Sequence, residues 1–330
     1  MASHRIPIIE ISGLVERRHT AVENAAAALR SACLDTGFFY VVGHGVDAEL
    51  IADAFEQNRR FHALPDSEKL RIKLNQWHRG YEPLASSKLT SSSRFAPATH
   101  PNQLESFFLR HEVPSDGLDY SGKELAGPNQ WPDDPAFRVE VRAYERAVRE
   151  LGIALLPAVS MAVGEHPDFF LPYFDPPSTA LRLIHYPAAA TDRPRELLGI
   201  QPHTDYGFLT ILAQDEVGGL EVRRVDGTWI EAAHVPGSFV VNIGDALARW
   251  TNDVFNSTPH RVVAKPGGRD RYSIAMFFDP NIDTEIRCLS GFTRNGPPKY
   301  PPIRYGEYFR MRLDSNFPDR APAVHAGAKE

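Results

Sequence analysis

The sequence predicts a mainly β protein with added helices, and three observations lead there. Beyond residue 179 the chain breaks into short β-rich runs, at 180–186, 208–213, 220–225, 228–231, 238–243, 260–263 and 271–278. Asp226-Gly227 between two of them is a hairpin signal, because these residues tolerate the positive φ of a tight turn. Helical periodicity is confined to the first half and the last stretch. Short, regularly spaced strands argue for a sandwich or barrel over a parallel α/β sheet. A double-sheet jelly roll, the double-stranded β-helix of cupin-like folds, fits best.

The elements follow in order. Residues 6–11 form a short apolar strand. Val22, Ala25, Ala26, Leu29 and Cys33 then keep helical spacing until Asp35-Thr-Gly37 stops them. Residues 38–42 read as a buried strand closed by Gly43-His-Gly45, and Asp47 caps a second helix carrying Leu50, Ile51, Ala54, Phe55 and Phe61. Residues 79–134 show little periodicity and a serine-rich patch at 86–93, the texture of functional loops. Asp134-Pro135 opens a long helix with Phe137, Val141, Tyr144, Val148, Leu151 and Leu155 on one face, and Pro157 is expected to kink or end it. After the strands, a helix over 305–317 and a polar tail at 318–330 finish the chain. We read 1–330 as a single unit, with helices and loops in 5–125 packed around a jelly-roll core at 175–285.

Composition narrows the function. With 42% hydrophobic and 24% charged residues, the 330-residue chain suits a globular protein with a large core. A net charge of −6 and no dense Lys/Arg cluster argue against nucleic acid or an anionic membrane as partner. Two cysteines, Cys33 and Cys288, exclude a disulfide framework and favour a reducing compartment. The first residues show no apolar signal region, and no apolar stretch approaches a membrane span, so a cytoplasmic protein is expected.

The chemistry concentrates in Gln201-Pro-His203-Thr-Asp205-Tyr-Gly-Phe-Leu-Thr210, answered by Ser257-Thr-Pro-His260 and Arg271-Tyr-Ser273. Two histidines and one carboxylate can hold one side of a divalent metal and leave the other open, as in non-haem Fe(II) oxygenases. On a strand, His203 and Asp205 would project to the same face, and His260 would return on a neighbouring strand. A bare His-x-Asp is weak, and the chain holds a second copy, His166-Pro-Asp168; its proline cannot join a sheet ladder, so it reads as a loop. Arg271 and Ser273 share a strand face and form a receptor for a carboxylate, to which Tyr186 adds a donor. By parity Arg182 shares the face of Tyr186. Arg94 and Phe107 fall in the irregular segment, where binding loops concentrate. These three are candidate substrate contacts. His44, His185 and His234 read as structural or exposed, Asp245 as part of a turn, and the cysteines as small buried hydrophobes.

Taken together, these segments resemble the isopenicillin N synthase-like family of Fe(II)/2-oxoglutarate-dependent dioxygenases over roughly residues 5 to 317. The pieces that carry the resemblance begin with Gly37-Phe-Phe-Tyr-Val-Val-Gly-His-Gly-Val46, Arg79-Gly-Tyr81, Tyr186-Pro187 and His203-Thr-Asp205-Tyr-Gly-Phe-Leu-Thr210. Val241-Asn-Ile-Gly-Asp245, Trp250-Thr-Asn252, Ser257-Thr-Pro-His-Arg-Val262 and Arg271-Tyr-Ser-Ile-Ala-Met-Phe-Phe278 follow in the same order. The resemblance implies a non-haem dioxygenase N-terminal region in 5–125 and a catalytic jelly roll. It makes His203, Asp205 and His260 the iron ligands, and Arg271, Ser273 and Tyr186 the grip on the distal carboxylate of 2-oxoglutarate. It places Phe277 at an aromatic substrate wall. Many plant members read Asn-Tyr-Tyr-Pro where this chain has Ile184-His-Tyr-Pro187, so the Asn contact is missing while Tyr186 is kept. The implied reaction consumes O₂, converts 2-oxoglutarate to succinate and CO₂, and oxidises a C–H bond of a small organic molecule, with hydroxylation as the default outcome. Three alternatives stay open: an iron/O₂ oxidase of the same fold without 2-oxoglutarate, a non-catalytic ligand-binding jelly roll, and a zinc hydrolase, although no His-Glu-x-x-His is present.

Overall fold

Strands whose faces alternate between two apolar surroundings dominate the molecule. The computed structural model describes residues 5–16, 18–88, 98–112, 125, 127–189, 194, 197–263, 268–294 and 296–316. Helices α1 (Ser12–Val15), α2 (His19–Asp35), α3 (Ala48–His62) and α4 (Asp66–Lys69) intersperse with β1 (Ile8–Glu10), β2 (Phe38–Val42), β3 (Gly80–Glu82) and β4 (Glu105–Arg110). A long helix α5 (Pro135–Ala162) leads to β5 (Ser178–Tyr186), β6 (Ile200–His203), β7 (Leu209–Gln214), β8 (Leu220–Arg223), β9 (Trp229–Glu231) and β10 (Phe239–Ile243). Helix α6 (Asp245–Trp250), β11 (His260–Val262), β12 (Arg271–Asp279), a ribbon of β13 (Glu285–Ile286) with β14 (Ile303–Arg304), and helix α7 (Tyr305–Asn316) follow.

Eight strands form one sheet in the order β1-β2-β10-β7-β12-β5-β4-β3, and four form a second in the order β6-β11-β8-β9. One face of the large sheet, carrying Val41, Leu183, Ile211, Val241, Ile274 and Met276, is buried in a core shared with α2 and α5. Its other face, carrying Phe38, Tyr40, Ile184, Tyr186, Val240 and Ala275, packs against Ile200, Leu220, Val222 and Val262 of the small sheet. Two sheets face to face with an apolar filling are the jelly roll that the strand pattern predicts. Among the described residues, no helix is long and apolar enough to cross a membrane.

Some elements differ from the sequence reading. The aperiodic stretch 79–134 contains β3 and β4, which extend the large sheet. Every residue of β4 is buried, so its run Glu105-Ser-Phe-Phe-Leu-Arg110 lacks the polar–apolar alternation of a half-exposed strand. Pro157 does not end α5, which continues to Ala162 with Leu155, Leu156, Ala158 and Val159 all buried; packing offsets the missing hydrogen bond. Strand β6 escapes sequence reading because it contains Pro202, tolerated here on the edge of the small sheet. Cys33 is buried but Cys288 is only half-buried. Residue 317 and the polar tail lie outside the described residues.

Phe107 requires correction as a substrate contact. In the β4–β5 register it faces the helices, with ring centroids 4.9 Å from Phe61 and 5.3 Å from Phe137, and it is fully buried there. The two-residue period of a strand turns its neighbour Phe108 to the opposite face. Phe107→Ala should therefore cost about 3–5 kcal/mol of stability through the cavity it opens. A lowered denaturant midpoint at unchanged slope is the expected reading.

Candidate active site

His203 ends β6 and His260 opens β11, and the two residues are partners across that ladder. Their ring centroids lie 4.2 Å apart. Asp205 sits beyond the end of β6, so shared strand parity is not what joins it to His203. The turn does so instead, held by the Asp245 N–H, which donates to the Asp205 carbonyl at 2.8 Å. Asp205 Oδ1 then stands 3.8 Å from His203 Nε2 and 3.7 Å from His260 Nε2. One nitrogen or oxygen from each residue falls within 4.8 Å of the other two, a span a single ion can bridge.

The hydrogen bonds leave the right atoms for a metal. His203 Nδ1 lies 2.9 Å from the Gln201 carbonyl and His260 Nδ1 lies 3.2 Å from the Thr258 carbonyl. A carbonyl only accepts, so each Nδ1 carries the proton and each Nε2 presents a lone pair inward. Asp205 Oδ2 accepts from Thr210 Oγ1 at 2.6 Å and Asn242 Nδ2 at 2.7 Å, which leaves Oδ1 for coordination. Burial pushes His203 down to about 3, and the neighbouring His260 adds to the shift, so the imidazole is neutral and able to ligate. Burial by itself would raise the Asp205 carboxyl, but His260, His203 and its two donors outweigh this and hold it below its usual range. The donor set fits Fe(II): two imidazole nitrogens and one carboxylate oxygen would occupy one side of the ion. Gly207 permits the turn, since a Cβ there would stand 1.9 Å from Asp279 Oδ1. Asn242→Ala should weaken metal binding about 10–100-fold by freeing the carboxylate, measured as the dissociation constant for Mn(II).

Arg271 and Ser273 lie on β12 opposite Tyr186 and Ile184 of β5. The buried guanidinium donates through Nε to the Gly218 carbonyl at 2.8 Å, through Nη2 to Gln214 Oε1 at 3.2 Å and through Nη1 to Ser273 Oγ at 3.1 Å. Its carbon lies 4.7 Å from the centre of the Tyr186 ring. Arg271, Ser273 and Tyr186 are thus gathered in one place.

A cavity opens over His203 and Asp205, lined by Phe108, Arg182, Phe277 and, from α7, Phe309 and Leu313. Arg182 lies 4.7 Å over the Phe108 ring, donates from Nε to Ser106 Oγ at 3.0 Å and pairs through Nη2 with Glu82 at 2.5 Å. Phe277 lines this cavity, where the resemblance implies a substrate wall; Arg94 lies outside the described residues. Asp245 is not in a turn but opens α6. His185 is a buried structural residue between Glu105, at 2.7 Å, and Asp270, at 3.0 Å. His166 and Asp168 are exposed, and no third ligand joins them among the described residues. Sequence reasoning missed Phe108, Thr210, Asn242, Gln214 and Phe309. Asn242 had a signal, its place in Val241-Asn-Ile-Gly-Asp245, whereas Phe108 required the register of β4.

Residues 6–134 match the family model described as non-haem dioxygenase in morphine synthesis N-terminal, and residues 177–280 match that of the 2OG-Fe(II) oxygenase superfamily. The chain belongs to the 2OG-Fe(II) oxygenase superfamily. The 2-oxoglutarate-Fe(II) type oxidoreductase hxnY of Emericella nidulans is 36% identical over 320 residues, covering 94% of this chain and 90% of that protein. Homoarginine-6-hydroxylase 2-ODD-C23 of Glycine max is 34% identical, with 95% and 98% covered. The crystal structure of a full-length Neurospora crassa protein in complex with alpha-KG and thymine superposes with a TM-score of 0.81 at 30% identity, covering 94% of this chain and 96% of that one. This oxygenase uses Fe(II), 2-oxoglutarate and O₂, and the readings as a 2-oxoglutarate-independent oxidase or a non-catalytic binding protein give way to that one.

Proposed function

We propose that the oxygenase hydroxylates a C–H bond of a small organic molecule held between Phe108, Phe277 and Phe309, acting as one catalytic unit in the cytoplasm. His203, Asp205 and His260 hold Fe(II), and Arg271 and Ser273, above the Tyr186 ring, bind the distal carboxylate of 2-oxoglutarate. Bound iron supplies O₂ activation coupled to conversion of 2-oxoglutarate to succinate and CO₂. The protein supplies orientation. Thr210 and Asn242 restrict Asp205 to one ligand oxygen, and the Gln201 and Thr258 carbonyls fix both imidazoles. Gln214 and the Gly218 carbonyl hold the Arg271 fork so that little entropy is lost when a carboxylate docks.

The observation that carries this reading is the convergence of His203 Nε2, His260 Nε2 and Asp205 Oδ1, two of whose residues, His203 and Asp205, line the aromatic cavity. Arg182 adds a substrate handle. Glu82 and Ser106 engage Nη2 and Nε, and among the described residues Nη1 has no partner, so it offers a donor to a carbonyl or carboxylate acceptor. Planar molecules bearing such an acceptor suit the aromatic walls. Relatives named for homoarginine hydroxylation, or crystallised with thymine, support a small-molecule substrate.

The test supplies Fe(II), O₂ and 2-oxoglutarate and measures succinate release across a panel of heteroaromatic acids, cyclic amides and amino acids. A substrate should stimulate succinate formation and gain one oxygen atom. Substrate oxidation without succinate would overturn the reading.

A further inference from the structure

The carboxylate of Asp245 joins both candidate ligand segments to the C-terminal helix. Its Oδ2 accepts from Oγ1 of Thr204, the residue between His203 and Asp205, at 3.2 Å. Its Oδ1 accepts from Ser257 Oγ at 2.6 Å, three residues before His260. The third partner comes from the far end of the chain: Arg312 Nη2 of α7 lies 3.2 Å from the same Oδ2. The guanidinium also covers the Tyr206 ring at 4.4 Å, next to Asp205. On α7, Phe309 and Leu313 flank Arg312 and line the cavity over His203 and Asp205.

We propose that the Arg312–Asp245 ion pair latches the C-terminal helix to the turns bearing His203, Asp205 and His260, so that the substrate wall and the metal site form one cooperative unit. Arg312 and Asp245 act as positioning residues; neither is a ligand. The proposal rests on the assignment of those three residues as metal ligands. An exposed ion pair would carry little weight. Here the side chains are only 21% and 15% exposed, and two hydroxyls also bind the carboxylate, so losing Arg312 removes a cation held against a largely buried charge. The coupling is reciprocal. Whatever holds α7 down tightens the ligand turns, and a metal that orders those turns must hold α7 down by the same factor.

The experiment uses full-length protein and Mn(II), a redox-inert stand-in for Fe(II). Calorimetry gives the Mn(II) dissociation constant, and hydrogen exchange follows the amides of α7 with and without Mn(II) plus 2-oxoglutarate. In the wild type, the additions should slow α7 exchange. In Arg312→Met, α7 should exchange faster, the slowing should vanish, and Mn(II) should bind about fivefold or more weakly. Arg312→Lys, which keeps the cation, should recover part of both effects. Exchange in α5 serves as the control for general loosening. If it also rises in Arg312→Met, the decision passes to Asp245→Asn, which keeps the shape, loses the charge and should show the same paired changes. A wild type that binds Mn(II) but whose α7 exchange ignores it overturns the latch, as does a variant that frees α7 with Mn(II) affinity unchanged. A wild type that binds no Mn(II) would instead overturn the ligand assignment on which the latch rests.

Discussion

His260→Ala should reduce substrate-stimulated succinate formation to less than about a hundredth of wild type, since removing even a partner behind a metal ligand costs 10–100-fold. The protein should remain folded. His260 opens the short strand β11, whose backbone pairing with β6 and β8 does not depend on the imidazole. Its ring packs edge-on to Phe38 at 5.2 Å, so truncation leaves a modest cavity rather than a broken sheet. Two of the proposed ligands, His203 and Asp205, would remain, and the carboxylate would lose the larger of its two imidazole neighbours' influence. Succinate assay, Mn(II) titration and thermal unfolding on one preparation separate these effects. Wild-type turnover in this variant would remove His260 from the metal site.

Arg271→Ala should raise the KM for 2-oxoglutarate by roughly 10–150-fold, the equivalent of losing about 1.5–3 kcal/mol from a hydrogen bond to a charged group. Turnover at saturating 2-oxoglutarate should fall far less, and Mn(II) affinity should hold, because Arg271 makes none of the hydrogen bonds that fix His203, Asp205 or His260. The substitution also strips the Gly218 carbonyl and Gln214 Oε1 of a donor, so some loss of stability is expected. Steady-state kinetics at varied 2-oxoglutarate, with unfolding followed in parallel, is the measurement. An unchanged KM would place the carboxylate elsewhere.

Much of the candidate site was legible because its residues sit in short motifs of unusual composition. His203, Asp205, His260, Arg271 and Ser273 stand in segments whose order and spacing restrict the possibilities, and alternation along β12 and β5 put Arg271 with Ser273 and Arg182 with Tyr186, pairs that the register places on one face of the sheet. Legibility failed where burial erased periodicity. Strand β4 is buried throughout, so nothing in Glu105-Ser-Phe-Phe-Leu-Arg110 tells which phenylalanine faces the cavity, and the choice fell on Phe107 instead of Phe108. It failed again at Asp205, where strand parity gave a sound pairing for an unsound reason, since a turn and not a strand holds the carboxylate beside His203.

The amino-acid order by itself determined the β-rich second half and the long amphipathic helix that backs it, because periodicity is a local property, and its family resemblance pointed to the three proposed metal ligands. Only the tertiary structure decided which oxygen of Asp205 is free, which face of β4 meets the cavity and that α7 closes it with Arg312 beside Asp245. Those outcomes depend on contacts between residues tens to more than a hundred positions apart, whose register is set by how two sheets and a helix pack and not by any neighbouring sequence.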